Sequence, residues 1–308
     1  MVNLKYKKYL DEKIADCHGK TIVITGANSG IGFYAARALA YKGARIVMAC
    51  RSQKRAEEAR LAILEAIPDS QIDILNIDQA SLASIDRFAE ELPTKYPQIA
   101  GFVFNAGIFH PTKKAITQEG YPLTMGTNYL GTFYLFEKLL SYFGTMKNLN
   151  VVCVGSLANR RYKYEKIEHY FSSMKTSLYR QYALSKKFMM ANHCFFMKQS
   201  DANIHYSMMH PGISSTNIVS GTSNSFPRWF SRIARSFMSS LMNHPEKASL
   251  GIAILSANEK QHGNYLVPKG LFGIAGYPVT RKVPKRLLQN ADVIHQKTRL
   301  FFEQKGKL

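Results

Sequence analysis

Acidic side chains are scarce in this chain: 21 Asp and Glu face 41 Lys and Arg across 308 residues, leaving a formal charge of +20. The excess favours attraction to phosphates, acidic ligands or anionic membrane surfaces, and charge alone does not choose among them. Cysteine is scarcer still. Cys17, Cys50, Cys153 and Cys194 are too widely spaced for a zinc knuckle or a redox CxxC pair, which leaves reduced core residues as the reading. His193, His205 and His210 lack metal-ligand spacing with one another or with the cysteines, so no metal site is expected. No stretch approaches the ~18 continuous apolar residues that a membrane span requires, and the N-terminus lacks the apolar centre of a secretory signal. A soluble cytoplasmic protein is the resulting expectation. Repeats, low-complexity tracts and convincing linkers are missing too, which argues for one domain.

What is present is 46% hydrophobic residues, ample for a buried core. Apolar runs of strand length fall at 21–25, 45–50, 72–77, 99–105, 151–155 and 204–209. Helix-like segments lie between them at 30–42, 52–66, 82–92, 123–142 and 179–199. This alternation predicts an α/β fold with a doubly wound parallel sheet, because each right-handed crossover returns the chain beside the strand it left. The domain is expected over 20–270, flanked by a basic N-terminal extension at 1–19 and a C-terminal tail at 271–308. Two insertions interrupt it: 157–178, carrying the basic run 160–166, and 214–245, carrying Phe226, Trp229, Phe230 and Phe237 among Arg228, Arg232 and Arg235.

The first strand breaks into Gly26-Ala27-Asn28-Ser29-Gly30-Ile31-Gly32 and then a helix. Strand, glycine turn and helix start together make a cradle for a diphosphate: the turn brings main chain against the ligand, and the helix N-terminus offers unpaired N–H groups. A side chain at Gly26 would obstruct the turn, while Gly30 and Gly32 permit close approach and helix packing. The second strand ends in Cys50-Arg51. In this architecture an acid at that strand end bonds the adenosine ribose, whereas an arginine suits a 2′-phosphate, so Arg51 favours NADP over NAD. Farther along, Tyr182 and Lys186 share a helix face at i and i+4. A neighbouring ammonium stabilises a phenolate and draws a tyrosine below its usual pKa of ~10, toward acid–base work.

Over nearly all of residues 20–270 the sequence resembles the short-chain dehydrogenase/reductase family, whose fold is of the Rossmann type. The matching pieces come in the family's order: the Thr25–Gly32 turn, Asp78, Asn105-Ala106-Gly107, Asn128, Ser156, Tyr182 to Lys186, and Pro211-Gly212. The Cys50-Arg51 strand end, the 127–131 segment and the His210-Pro211-Gly212 turn look most like the retinol dehydrogenase-like, NADP-preferring branch. The resemblance implies that Tyr182 exchanges a proton with the substrate oxygen, that Lys186 lowers its pKa and bonds the nicotinamide ribose, and that Ser156 orients the carbonyl. It further implies that Asn128 holds a water linking Lys186 to solvent. Asp78 would meet the adenine amine, Asn105 the sheet centre and adenosine ribose, and Pro211, Gly212 and Thr216 the nicotinamide. Asn28, Ser29, Ile31, Ala106 and Gly107 complete the expected cofactor contacts.

Phe104 and Gly155 depart from the family's pattern, standing where an asparagine and a serine are frequent. From Ser156 to Tyr182 the gap is longer than in many members, as in the retinol dehydrogenase-like branch. These features predict an NADP(H)-dependent oxidoreductase interconverting a carbonyl compound and its alcohol. The aromatic residues of the 214–245 insertion suggest a lid over a lipophilic substrate, and its arginines a weak contact with a membrane surface. A homo-oligomer is expected from the family; a nucleic-acid partner is not. Two other classes stand beside this reading: an NADP(H)-binding regulatory or sensing protein with little turnover, and a basic nucleic-acid-binding module.

Overall fold

The computed structural model describes residues 5–109, 114–158, 167–199, 203–213 and 243–308. Thr216, the basic run 160–166 and the 214–242 part of the expected lid lie outside the described residues.

Side-chain alternation along the strands decides the architecture. In β1 (Thr21–Thr25), Val23 joins one apolar cluster, while Ile22 and Ile24 join another on the opposite face. The same split separates Val47 from Ile46 and Met48 in β2 (Arg45–Cys50), and Phe102 from Val103 in β4 (Gly101–Phe104). Strands apolar on both sides must be covered on both sides, and the crossovers of a parallel sheet supply that cover. With β3 (Ile72–Asn76), β5 (Leu149–Val154), β6 (Ile204–Met209) and β7 (Tyr265–Pro268), the parallel strands run in the order β3-β2-β1-β4-β5-β6-β7. β8 (Pro278–Arg281) pairs antiparallel with β7, the one exception to the expected parallel sheet among the described strands.

On one face lie α1 (Lys7–Lys13), α2 (Gly30–Tyr41), α3 (Gln53–Ala66) and α9 (Pro245–Ala257); on the other lie α4 (Leu82–Lys95), α6 (Gly131–Phe143), α7 (Ile167–Ser172), α8 (Leu178–Met197) and α10 (Lys285–Glu303). Local chemistry sets where several begin. The side chains of Ser52, Ser81 and Ser177 accept from backbone N–H groups of α3, α4 and α8, and Pro245 opens α9, where its missing N–H costs nothing.

The described parts of both flanking segments belong to this body. Leu10, Ile14 and Cys17 of the N-terminal extension are buried, and Asn258 clamps it by donating to the Lys13 carbonyl (2.9 Å) and accepting from the Ala15 N–H (2.8 Å). Residues 271–308, set apart above as a tail, supply β8 and α10. Leu287, Ala291, Ile294, Thr298 and Phe302 recur at three- and four-residue steps and form the buried stripe of α10. Phe302 lies parallel to Phe133 at 5.8 Å, Thr298 shares a hydrogen bond with the Tyr129 hydroxyl (2.6 Å), and Arg299 pairs with the buried Glu137 (2.7 Å). His295 stacks on Phe195 at 3.8 Å, with Nδ1 3.0 Å from the Asn192 side-chain oxygen.

Burial pushes His295 and His193 down to about 4. Each is held neutral in the fold and binds a proton more readily once unfolded. Stability is therefore fully present above about pH 6.5 and drains away as pH falls toward 4. Urea midpoints at pH 7 and pH 5 should differ by the equivalent of roughly 2–4 kcal/mol. Equal midpoints would contradict the burial of these two rings.

Candidate cofactor and active site

Where β1 and β4 end side by side, their connections leave for opposite faces of the sheet, and a crevice opens between them. Thr25 and Asn105 hold its floor. The Thr25 hydroxyl donates to the Val103 carbonyl (3.1 Å) and accepts from the N–H groups of Asn105 and Ala106 (3.0 Å each), while the Asn105 amide donates to the Thr25 carbonyl (2.8 Å).

Above this floor is a cleft of about 310 Å³. Of the sequence-predicted residues, Gly26, Asn28, Ser29, Gly30, Ile31, Gly32, Arg51, Asp78, Asn105, Ala106, Gly107, Tyr182, Lys186 and Pro211 all line it. Gly26 and Gly30 have left-handed φ values of 67° and 57°, conformations that a side chain would strain. A Cβ on Gly32 would lie 2.5 Å from the Asn105 amide nitrogen and 2.6 Å from the Gly26 carbonyl, so only glycine lets α2 start this close to the strand ends. The concavity of main chain and helix N-terminus fits a dinucleotide diphosphate.

At the adenosine end, Arg51 is about half exposed and its guanidinium stands 3.9 Å from the Asp78 carboxylate, which also accepts from the Ala80 N–H (3.0 Å). The Asn76 amide secures the strand end by donating to the Arg51 carbonyl (3.0 Å). Arg55, on the first turn of α3, lines the same cleft and was not singled out from the sequence. Its place on the first turn of the helix that follows the Cys50-Arg51 strand end was the available signal. Cys50 is buried beneath, its thiol pushed up to about 11 by burial.

At the other end, α8 brings Tyr182 and Lys186 over the ends of β4 and β5. Lys186 is buried and donates to the Val154 carbonyl (3.1 Å); burial pulls it down to about 8. The Tyr182 phenol is hydrogen-bonded to Ser156, which favours its ionised form, but burial outweighs this and its pKa is raised. The charge on Lys186 therefore does not dominate the phenol as the i, i+4 spacing suggested, and at neutral pH Tyr182 carries its proton. The Phe109 ring meets Tyr182 edge-on at 4.6 Å and Tyr179 at 6.4 Å, giving this end an aromatic wall.

Asn128 lies behind the cleft wall, in a wide turn, Gly126–Leu130, between α5 (Leu123–Met125) and α6. Its side chain accepts from the Ile108 N–H (2.8 Å), and donates to the Ile108 carbonyl (2.9 Å) and the Ser185 hydroxyl (3.1 Å). A Cβ on Gly107 would come within 3.2 Å of the Lys186 ammonium and 3.3 Å of the Asn128 oxygen, so Gly107 lets both approach its backbone. Gly212 stands off the cleft. Its φ is 77° and a Cβ there would strike the Ile274 carbonyl at 2.0 Å.

The two departures from the family pattern have local causes. Phe104 turns into the core against Phe102 and Phe136, with ring centroids at 4.7 and 5.5 Å. Gly155 admits Met190, whose sulfur would be 2.4 Å from any Cβ at that position.

Comparison with known proteins gives a concordant result. Residues 20–225 match the short chain dehydrogenase family. Retinol dehydrogenase 14 of Mus musculus is 33% identical over 216 residues, covering 65% of this chain and 63% of that protein. Dehydrogenase/reductase SDR family member 13 of Bos taurus is 36% identical over 175 residues, covering 56% and 45%. The alignments thus span less than two thirds of these relatives' lengths. An uncharacterised protein of Mycobacterium paratuberculosis has the same fold, with a TM-score of 0.70 at 23% identity over 93% of this chain and 96% of its own. With a matching domain, strand order and sequence kinship, the chain belongs to the short-chain dehydrogenase/reductase family, and it is similar to retinol dehydrogenase 14 among the proteins of that family.

Proposed function

We propose that this protein is an NADP(H)-dependent oxidoreductase that interconverts a lipophilic carbonyl compound and its alcohol. The observation that carries the reading is Tyr182, hydrogen-bonded to Ser156 and one helical turn from the buried Lys186, at one end of a glycine-walled cleft. Bound NADP(H) supplies or accepts the hydride. Tyr182 gives its proton to the carbonyl oxygen in reduction and takes it back in oxidation. Ser156 donates to the same oxygen and holds it as charge develops there. Asn128 fixes the backbone at Ile108, keeping the wall beside Lys186 in place.

Support for the 2′-phosphate comes from the adenosine end. Cys50 stands where an acid would repel that phosphate, and Arg51 and Arg55 both border the cleft. The contact between Arg51 and Asp78 is long and exposed, so it holds the guanidinium only weakly. Support for a lipophilic substrate comes from the rings of Phe109 and Tyr179 beside the reacting hydroxyl.

Tyr182→Phe should lower turnover by about 10²–10⁴-fold while shifting the NADPH dissociation constant by less than about threefold. Turnover surviving in that variant would overturn the role given to Tyr182, whereas a wild type that binds NADPH and turns over no carbonyl compound would point to the regulatory reading. Arg51→Ala/Arg55→Ala should weaken NADPH binding by roughly 10–100-fold and leave NADH nearly unchanged. An unchanged ratio of the two affinities, measured by fluorescence titration, would remove the NADP assignment.

A further inference from the structure

Leu271 and Phe272 are the most exposed large apolar side chains among the described residues, at 79% and 74%. They are neighbours at the tip of a tight turn, Leu271–Gly273, between β7 and β8, at the lateral edge of the sheet and three strands from β4, beside which the cleft opens. The tip is braced from beneath. Gly270 donates to the Ala275 carbonyl (2.8 Å), Ile213 to the Ile274 carbonyl (2.9 Å), and the Asn243 side chain joins the Gly276 N–H (2.9 Å) to the Pro211 carbonyl (3.2 Å). Phe272 itself is held at φ 54°, a conformation unfavourable for a bulky residue. A fixed turn that presents two bare apolar side chains to water needs an explanation.

Its surroundings are basic. Lys269 precedes the tip, and the Lys247 ammonium lies 4.3 Å over the Tyr277 ring. Tyr277 in turn stacks on Tyr9 at 4.8 Å and meets Tyr6 edge-on at 6.2 Å, which draws the start of α1, with Lys5 and Lys8, to the same surface. The neighbouring acids are largely engaged: Glu246 with Arg37 (2.8 Å), Asp11 with Lys7 (2.9 Å), and Glu12 more loosely with Lys8 (3.9 Å). Between Glu259 and Asp292 the sequence has six Lys or Arg and no acid.

We propose that the Leu271–Phe272 tip, with Lys269 just before it and Lys247 over the adjoining Tyr277 ring, docks the protein on anionic lipid bilayers. Two protruding side chains fall far short of the roughly 800 Å² that a stable protein partner covers, and lysine is depleted from such interfaces. A bilayer asks for this pattern: apolar side chains enter the headgroup boundary while ammonium groups meet lipid phosphates and carboxylates. None of the described helices is long and apolar enough to cross a membrane, so the contact is with its surface. The turn is tied to residues 211–213, of which Pro211 lines the cleft, so docking brings that rim of the cleft toward the lipid. The contact does not depend on turnover and stands apart from the proposed activity.

The test is co-sedimentation of the full chain with vesicles of phosphatidylcholine alone, or of phosphatidylcholine and phosphatidylserine in equal parts. The wild type should bind the mixed vesicles about tenfold or more tightly than the neutral ones, with loss at high salt. Leu271→Asn/Phe272→Asn should lose about tenfold or more of that binding. Asparagine tolerates the left-handed backbone and adds no charge, so the loss reports apolar insertion and not repulsion. Lys247→Glu/Lys269→Glu should weaken binding by at least about tenfold. NADPH affinity and thermal midpoint, both expected to stay at wild-type values, verify that the variants are folded. Should the asparagine variant fail to fold, Phe272→Trp keeps the test: brominated lipid must quench the new emission. The proposal is overturned if the wild type ignores mixed vesicles, if the asparagine variant binds them equally well, if the new tryptophan is not quenched, or if the tip proves to join two copies of the chain.

Discussion

Everything at the candidate site is referred to one small set of hydrogen bonds, those joining the ends of β1 and β4 through Thr25 and Asn105. The strands diverge there, one toward α2 and the other toward the opposite face, and without a tie their ends would be free to splay. The Thr25 hydroxyl is fully buried and serves three backbone groups at once; no other small side chain offers a donor and two acceptor positions with a methyl group for the core. The distance between the glycine turn and Gly107 follows from this tie, and the position of Lys186 against Gly107 follows in turn.

The active end is built against stability. Lys186 is withdrawn from water with a backbone carbonyl as its described partner, and a buried ammonium of this kind is tolerated because it can shed its proton at modest cost. Asn128 is bonded on both sides to Ile108, and the widened turn that carries it departs from regular helix where Gly131 comes against the Gln79 carbonyl; a Cβ there would sit 2.0 Å from that oxygen. Local irregularity at a site of this kind follows from the need to aim a side chain that a regular helix would turn elsewhere.

Much of this was legible in the sequence, and the reasons for the remainder are physical. β1 and β2 stand at their expected residues because β-branched and aliphatic runs end at glycine or polar punctuation, and β6 because its mixed run stops at His210-Pro211-Gly212. The glycine turn could be found from its spacing after a strand, and the family resemblance added Asn105 and joined Tyr182 and Lys186 to it; all of them line one crevice. β7 is only four residues long, and α9 is apolar nearly all round, so neither has a period to detect. α10 did have one, but its stripe is narrow and lies among lysines and arginines, which made it read as a tail. Arg55 was passed over because a basic residue on a solvated helix carries no local mark of its partner. The phenol's environment could not be read at all: spacing reports the ammonium nearby, whereas the extent of burial depends on Phe109 and the elements around it.

The docking of α10 joins distant parts of the chain. Phe133, Tyr134 and Glu137 are covered by Phe302 and Arg299, with 162 positions separating Glu137 from Arg299. Without α10 the sheet and its other helices would carry a greasy aromatic face and a dehydrated carboxylate in the open. A truncation that removes this helix would therefore leave an otherwise complete domain with an adhesive flank.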